Sequence, residues 1–253
     1  LFVTNPLRSL VGGTALAAGL CFLSGAAAPS LAKDTYKKAA EVDIAQLQKH
    51  LTTCEGDAKD AKRYSPTAKS VAMMLAMYAE AIGDSTLKDQ AIKVADQIGA
   101  KNYKEALATA KGLAVKPGSA PLAAAGLAQL NKVSLDDVMS PFRVSNVGGL
   151  NIEKDIRGLR DGKIPVNPAD IAVLAARTAV LLDYASALPN DKAKTNKANS
   201  DEWMKLSKDS IDLTKKLDEE AAKGKGANEK EIVKLIKSLD AKCVVCHNKF
   251  RDD

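Results

Sequence analysis

An all-α fold is the class this sequence predicts, and three observations carry the prediction. Aromatic residues make up only 4% of 253 residues, and β-branched residues are sparse beside Ala, Lys, Leu and Asp. That mix favours helix over the alternating Val, Ile and Tyr runs of a sandwich or barrel. After Lys33 the apolar residues recur at steps of three and four almost throughout. Capping residues open these stripes, and glycines or prolines close them. With 46% hydrophobic and 27% charged residues, the chain has a globular rather than a disordered composition.

Residues 1–32 stand apart from that pattern. Arg8 is their only charged side chain, and the centre LVGGTALAAGLCFLSG is apolar. Small residues, Ser30-Leu31-Ala32, then precede the polar start Lys33-Asp34. This order predicts an export signal cleaved after Ala32 and a periplasmic mature protein. An uncleaved anchor is the competing reading, because the uncharged stretch 9–32 is long enough to span a bilayer. Its Gly, Ala and Pro content makes it weakly hydrophobic, so no stable membrane insertion is expected once the signal is removed.

Tyr36, Ala40, Ile44, Leu47 and Leu51 define a first helix, stopped near Gly56. Ser65-Pro66 reads as cap and first-position proline of a second, with Val71, Met74, Leu75, Tyr78 and Ile82 on one face. Gly83 ends it. Leu87, Ala91, Val94 and Ile98 give a third helix, closed by Gly99. Tyr103, Ala106, Leu107, Ala110 and Leu113 give a fourth, stopped by Pro117-Gly118. Four amphipathic helices with short loops predict an up-down bundle over 33–118.

Residues 119–253 are expected to repeat the plan, making two tandem four-helix-bundle-like halves. Asn167-Pro168 opens a helix with Ile171, Leu174, Thr178, Leu181, Leu182, Ala185 and Leu188 inward. Ser200 is expected to cap the next, whose stripe is Trp203, Leu206, Ser210, Leu213, Leu217 and Ala221. The last helix starts near Asn228 and places Ile232, Leu235, Ile236 and Leu239 inward. Tyr78-Ala79-Glu80-Ala81 parallels Tyr184-Ala185-Ser186-Ala187, and Asn102, Lys104 and Glu105 parallel Asn228, Lys230 and Glu231, as an internal duplication would give. Two stretches break the pattern. Residues 141–166 read as a long loop with one short helix, and 190–199 as a polar, low-complexity loop; loops of this kind tend to be functional or flexible.

Chemistry concentrates in the cysteines and histidines. Cys243-Val244-Val245-Cys246-His247 is C-x-x-C-H, the attachment pattern of c-type haem. Two thiols bond to the two vinyl groups of one haem, and the following His becomes an axial iron ligand. The spacing continues the stripe of the last helix, so Cys243, Cys246 and His247 are all expected to face the core. A thioredoxin-like pair would need βαβ surroundings, and a disulfide across two residues would be strained in a helix. A zinc site of His50, Cys54, Cys243 and Cys246 is the stronger competitor, although it leaves His247 idle. Cys54 is otherwise expected to be buried and inert, and His50 to be a partly exposed surface residue.

The second half resembles the class II cytochromes c, the cytochrome c prime family, in which C-x-x-C-H ends a four-helix bundle. The ending CVVCHNKFR, with Phe250 and Arg251, is similar to the family's C-terminal signature. ALPNDKAKTNKANSDEW is similar to the loop before a Trp in its third helix, here Trp203. The resemblance covers residues 167–253 well and the first-helix region poorly. It implies one covalent haem c, with Trp203 and Arg251 beside it. At the matching position the first half has Pro117 and Ala120-Pro121, so that half is expected to carry no haem.

Family members leave the far side of the iron vacant or fill it with a first-helix Met. Ser134 to Met139 is the segment expected to serve as that helix, and Met139 is its candidate axial ligand; a Met in the core is the plainer reading. The function implied is single-electron transfer without enzymatic activity, since a peroxidase would want a distal acid–base pair that the sequence does not show. A five-coordinate haem protein binding NO or CO is the alternative. The net charge of +6 is spread along the chain without the aromatic interleaving of a nucleic-acid surface. Lys230, Lys234, Lys237, Lys242, Lys249 and Arg251 on the last helix suit either a solvated face or a rim for an acidic redox partner. A second copy of the chain is a further candidate partner.

Overall fold

A computed structural model describes residues 29–123, 133–165 and 167–251 of the chain. The expected export signal lies outside them except for Pro29–Ala32. Among the described residues there are α-helices and 3₁₀ turns and no strands. None of these helices is long and apolar enough to cross a membrane.

Helix α1 runs over Lys33–Gly56 and α2 over Ala58–Ile82. The second helix begins earlier than Ser65-Pro66 suggested. Asp57 accepts the N–H groups of Lys59 at 2.6 Å and Asp60 at 3.3 Å, a side-chain cap that starts the helix two turns before the proline. Pro66 is therefore inside α2, where it forgoes one backbone hydrogen bond. Gly83 ends α2 with φ +81°, and the 118–120 loop passes so close that any Cβ there would strike the carbonyl of Ala120. Asp84 caps α3, Ser85–Gly99, through the Leu87 N–H at 2.9 Å. Helix α4 spans Tyr103–Lys111. Helix α1 packs on α2 and α4, and α3 packs on α2 and α4.

Helix α5, Leu135–Met139, is one turn and a half, fixed by a capping box between Ser134 and Asp137. It docks on α2, where the Ser70 hydroxyl donates to the Asp137 carbonyl at 2.6 Å and Thr67 to Ser140 at 3.0 Å. The 141–165 stretch holds the one short α-helix expected of it, α6 over Ile152–Arg160. Helix α7 is Pro168–Ser186, capped as expected by Asn167 through the Ala169 N–H at 3.1 Å. The low-complexity loop is more ordered than its composition suggested. It contains α8, Asp191–Lys194, and Asn196 rather than Ser200 caps α9, Lys197–Ala221, through Asn199 N–H. Asn228 caps α10, Glu229–Phe250.

Helices α7 and α9, α9 and α10, α10 and α6, and α6 and α7 pack on one another. The apolar core is nevertheless continuous across the chain. One cluster of buried residues includes Leu47, Val71, Leu87 and Ala106 as well as Ile156, Leu174, Leu217 and Ile236. The junction is α1 on α7. There Arg177 donates to Asp43 from Nε at 2.9 Å and from its terminal nitrogen at 2.5 Å. Tyr78 donates its hydroxyl to the second carboxylate oxygen at 3.3 Å. Asp43 is 0% exposed, and burial pushes its carboxyl above the usual range even with Arg177 beside it.

This junction makes a stability prediction. Arg177→Met should lower unfolding free energy by about 3–5 kcal/mol, because it strands a buried carboxylate. Asp43→Leu combined with Arg177→Met should recover most of that loss. Urea unfolding of both variants measures it, and a single-variant loss under about 1 kcal/mol would contradict a dry, interdependent junction.

Candidate functional site

The C-x-x-C-H stretch lies in the last two turns of α10. At about 100° per residue, Cys243, Cys246 and His247 fall within roughly 100° of arc. Ile232, Leu235, Ile236 and Leu239 are buried as the stripe required. Beyond them the stripe opens. Cys243 is half-buried against the main core and Cys246 is half-buried against a second cluster, while His247 is exposed, contrary to the expectation that it too faces the core.

The reason is the length of the facing helix. Arg160 at the end of α6 pairs with Asp240 at 3.0 Å, while Glu153 in its first turn acts electrostatically on Cys243 and His247. Helix α6 therefore runs antiparallel to α10 and begins at the level of the motif. Nine residues span about 13 Å against about 33 Å for α10. Its buried face is Ile152, Ile156 and Leu159. Helix α6 packs along the motif-bearing helix, while from Ser134–Met139 Leu135 joins the cluster at its end. The spacing of Ile152, Ile156 and Leu159 by four and three was the available signal, masked by the glycines around it.

On the other side, Cys246 packs against a small second cluster of Trp203, Phe250, Leu206 and Ala193, which Leu135 also joins. Trp203 stands edge-on to Phe250 at 5.4 Å and 82°, and its indole N–H reaches the carbonyls of Ala185 and Ser186. Asn190 donates to the Phe250 carbonyl, and Lys192 donates to that of Arg251 at 2.7 Å, so the 190–196 loop clasps the chain end. The structure thus brings Trp203 and Cys246 to one cluster and sets Arg251, which is exposed, one turn beyond His247. Met139 packs against the main core instead.

The electrostatics narrow the chemistry. Burial, reinforced by Cys246 and by acidic neighbours, pushes the Cys243 thiol up to about 12, and burial also raises that of Cys246. A reactive disulfide-exchange pair requires the opposite shift. Both thiols are free. His247 is held below its ordinary value by the surrounding protein and then by Arg251, which favours the neutral imidazole that ligates metal. Among the described residues no three His, Cys, Asp or Glu side chains group as a metal site, so His50 and Cys54 do not join Cys243 and Cys246 in the zinc arrangement.

His50 is 5% exposed rather than a surface residue, stacked edge-on against Tyr64 at 5.4 Å with Nδ1 unpartnered. Cys54 is buried, as expected. The basic residues of α10 are partly neutralised: Lys234 pairs with Glu231, Lys242 with Asp209 and Lys249 with Glu202. Between the thiols, Val244 and Val245 are about half exposed, at 50% and 47%.

No family model, curated protein or solved structure is matched by the chain.

A pH prediction follows from His50. Burial, then Lys49, lowers its folded value from 6.5 to about 4. Between those values the unfolded chain binds the extra proton, so stability is fully present above pH 6.5 and falls as pH drops toward 4. The loss attributable to His50 is on the order of 3 kcal/mol by pH 4. His50→Phe should flatten that part of the curve. Identical pH profiles for variant and parent in chemical denaturation would count against it.

Proposed function

We propose that the chain is an exported monohaem c-type cytochrome that carries single electrons. The observation that carries this reading is the C-x-x-C-H sequence itself, on α10, with both thiols free and half-buried and the imidazole exposed on the same arc of the helix. Cys243 and Cys246 would hold the haem by thioether bonds and His247 would ligate its iron. Their fit to that group rests on accessibility. Half-buried thiols and an exposed imidazole leave the three reacting groups within reach of a macrocycle, as a sealed core would not. When bound, the haem supplies an iron that gains and loses one electron. The protein's own residues orient it: Trp203 and Phe250 back Cys246, and Arg251 lies beside His247.

The resemblance to class II cytochromes c suggests one reading of the helix packing. We read α1–α4 as one four-helix bundle without haem, and α6, α7, α9 and α10 as a second with it. The pairing of Tyr78 in α2 with Tyr184 in α7 agrees with duplication, since each falls on the second helix of its set. The unpaired basic groups near the motif suit an acidic redox partner.

A second reading is favoured by one particular observation. Helix α6, packed on the motif-bearing helix, contains no Met and has Ile152 and Ile156 on its buried face. An apolar far side would leave the iron five-coordinate and open to CO or NO.

Two outcomes are expected. Intact mass of the exported protein should show one haem per chain, and Cys243→Ala or Cys246→Ala should greatly reduce it. Haem that passes from the parent protein into acidified organic solvent would contradict covalent attachment. Separately, if Met139 ligates, Met139→Ala should convert a low-spin spectrum to high-spin and speed CO binding. A parent protein that is already high-spin and binds CO rapidly would favour the five-coordinate reading over the carrier.

A further inference from the structure

Helix α1 begins at Lys33 without a capping side chain of its own, because its N-cap is Ala32. The first N–H groups of a helix need acceptors, and its end carries partial positive charge. Asp218, from α9, stands in. One carboxylate oxygen accepts the Ala32 N–H at 3.2 Å, and the other accepts the Thr35 hydroxyl at 2.7 Å. Asp218 is 3% exposed, yet both of these donors are neutral. Among the described residues no Lys, Arg or His forms an ion pair with it. A buried carboxylate normally has a cationic partner.

The peptide bond that follows Ala32 lies at the protein surface, its carbonyl accepting the N–H groups of Thr35 at 3.1 Å and Tyr36 at 3.3 Å. Ala32 and Lys33 are exposed, and Ala32 is extended, with φ −61° and ψ 141°. Immediately upstream, Pro29 is buried, its carbonyl accepting the Tyr36 hydroxyl. Pro29 and Ser30 line a groove of about 370 Å³ together with Asp183, Lys208 and Lys215.

We propose that Asp218 is the seat of the α-ammonium group of Lys33 after the chain is cut between Ala32 and Lys33. This rests on the export reading given above. Hydrolysis adds water across that bond. Ala32 leaves with a new carboxylate, and the nitrogen of Lys33 becomes an amine that takes a proton. The new charge arises one residue beyond the amide that now donates to Asp218. A positive charge at a helix N-terminus is opposed by the helix dipole; Asp218 reverses that balance and gains the cation it lacks. Tyr36 and Asp34 on α1, Asp183 on α7 and Lys208 and Lys215 on α9 are the other titratable groups around this end. The Lys33 side chain is turned away, donating from Nζ to the Gly118 carbonyl at 2.9 Å.

The test uses the exported protein as purified. N-terminal sequencing should begin at Lys33; any other start overturns both the cleavage and the seat. With Lys33 first, NMR titration of the ¹⁵N-labelled α-amino group should give a value at least one unit above the ordinary range of about 7.7–8.0. Asp218→Asn should return it to that range, while Asp34→Asn should leave it raised. An ordinary value in the parent protein overturns the role of Asp218 while leaving the cleavage intact, and that measurement needs no variant to fold.

Discussion

A buried ion pair, Asp43 with Arg177, is the contact on which the arrangement of helices depends. Both groups belong to long helices whose other faces are committed elsewhere, α1 to α2 and α4, and α7 to α9. A carboxylate with no access to water is tolerable only with a cation and further hydrogen bonds around it. Arg177 supplies two and Tyr78 a third. Those requirements fix the register of α1 against α7. The continuous core across the chain is a consequence of that registration.

Once α7 is placed, α9 and α10 follow, and the position of the C-x-x-C-H stretch is set by what fails to cover it. Helix α6 is too short to flank the whole of α10 and starts at the motif's own level. On the far side, Trp203, Phe250 and the clasp from Asn190 and Lys192 close the chain end. Between these two stand two free, half-buried thiols and an exposed imidazole on one arc of α10. Their protonation argues in the same direction: thiols raised by burial are poor exchange nucleophiles, and a neutral imidazole is a ready ligand.

Much of this was legible in the chain. Helix identity, the α7 cap, the start of α10 at Asn228 and the glycine stops are local chemistry, and local chemistry is what a sequence displays. Asp57 and Asn196 went unnoticed as caps because Ser65-Pro66 and Ser200 offered more familiar signals close by. The burial of His50 was hidden for another reason. Its partner Tyr64 belongs to the stretch of α2 that precedes Pro66, which read as loop. The exposure of His247 could not be read from helical spacing, because periodicity gives a direction on the helix and not the length of the neighbour that covers it. Asp218 at the start of α1, and Asp43 with Arg177, are long-range pairings for which no local pattern exists.

The haem proposed for α10 would have both vinyl groups saturated by Cys243 and Cys246. The absorption spectrum of the exported protein, denatured in alkaline pyridine and reduced, tests it most directly. Saturating each vinyl group removes conjugation and moves the principal visible band to shorter wavelength. The account predicts one haem per chain with the band of a macrocycle lacking both vinyls. The band of unmodified protohaem, or no haem band from an export-competent host that attaches haem to other proteins, would contradict it.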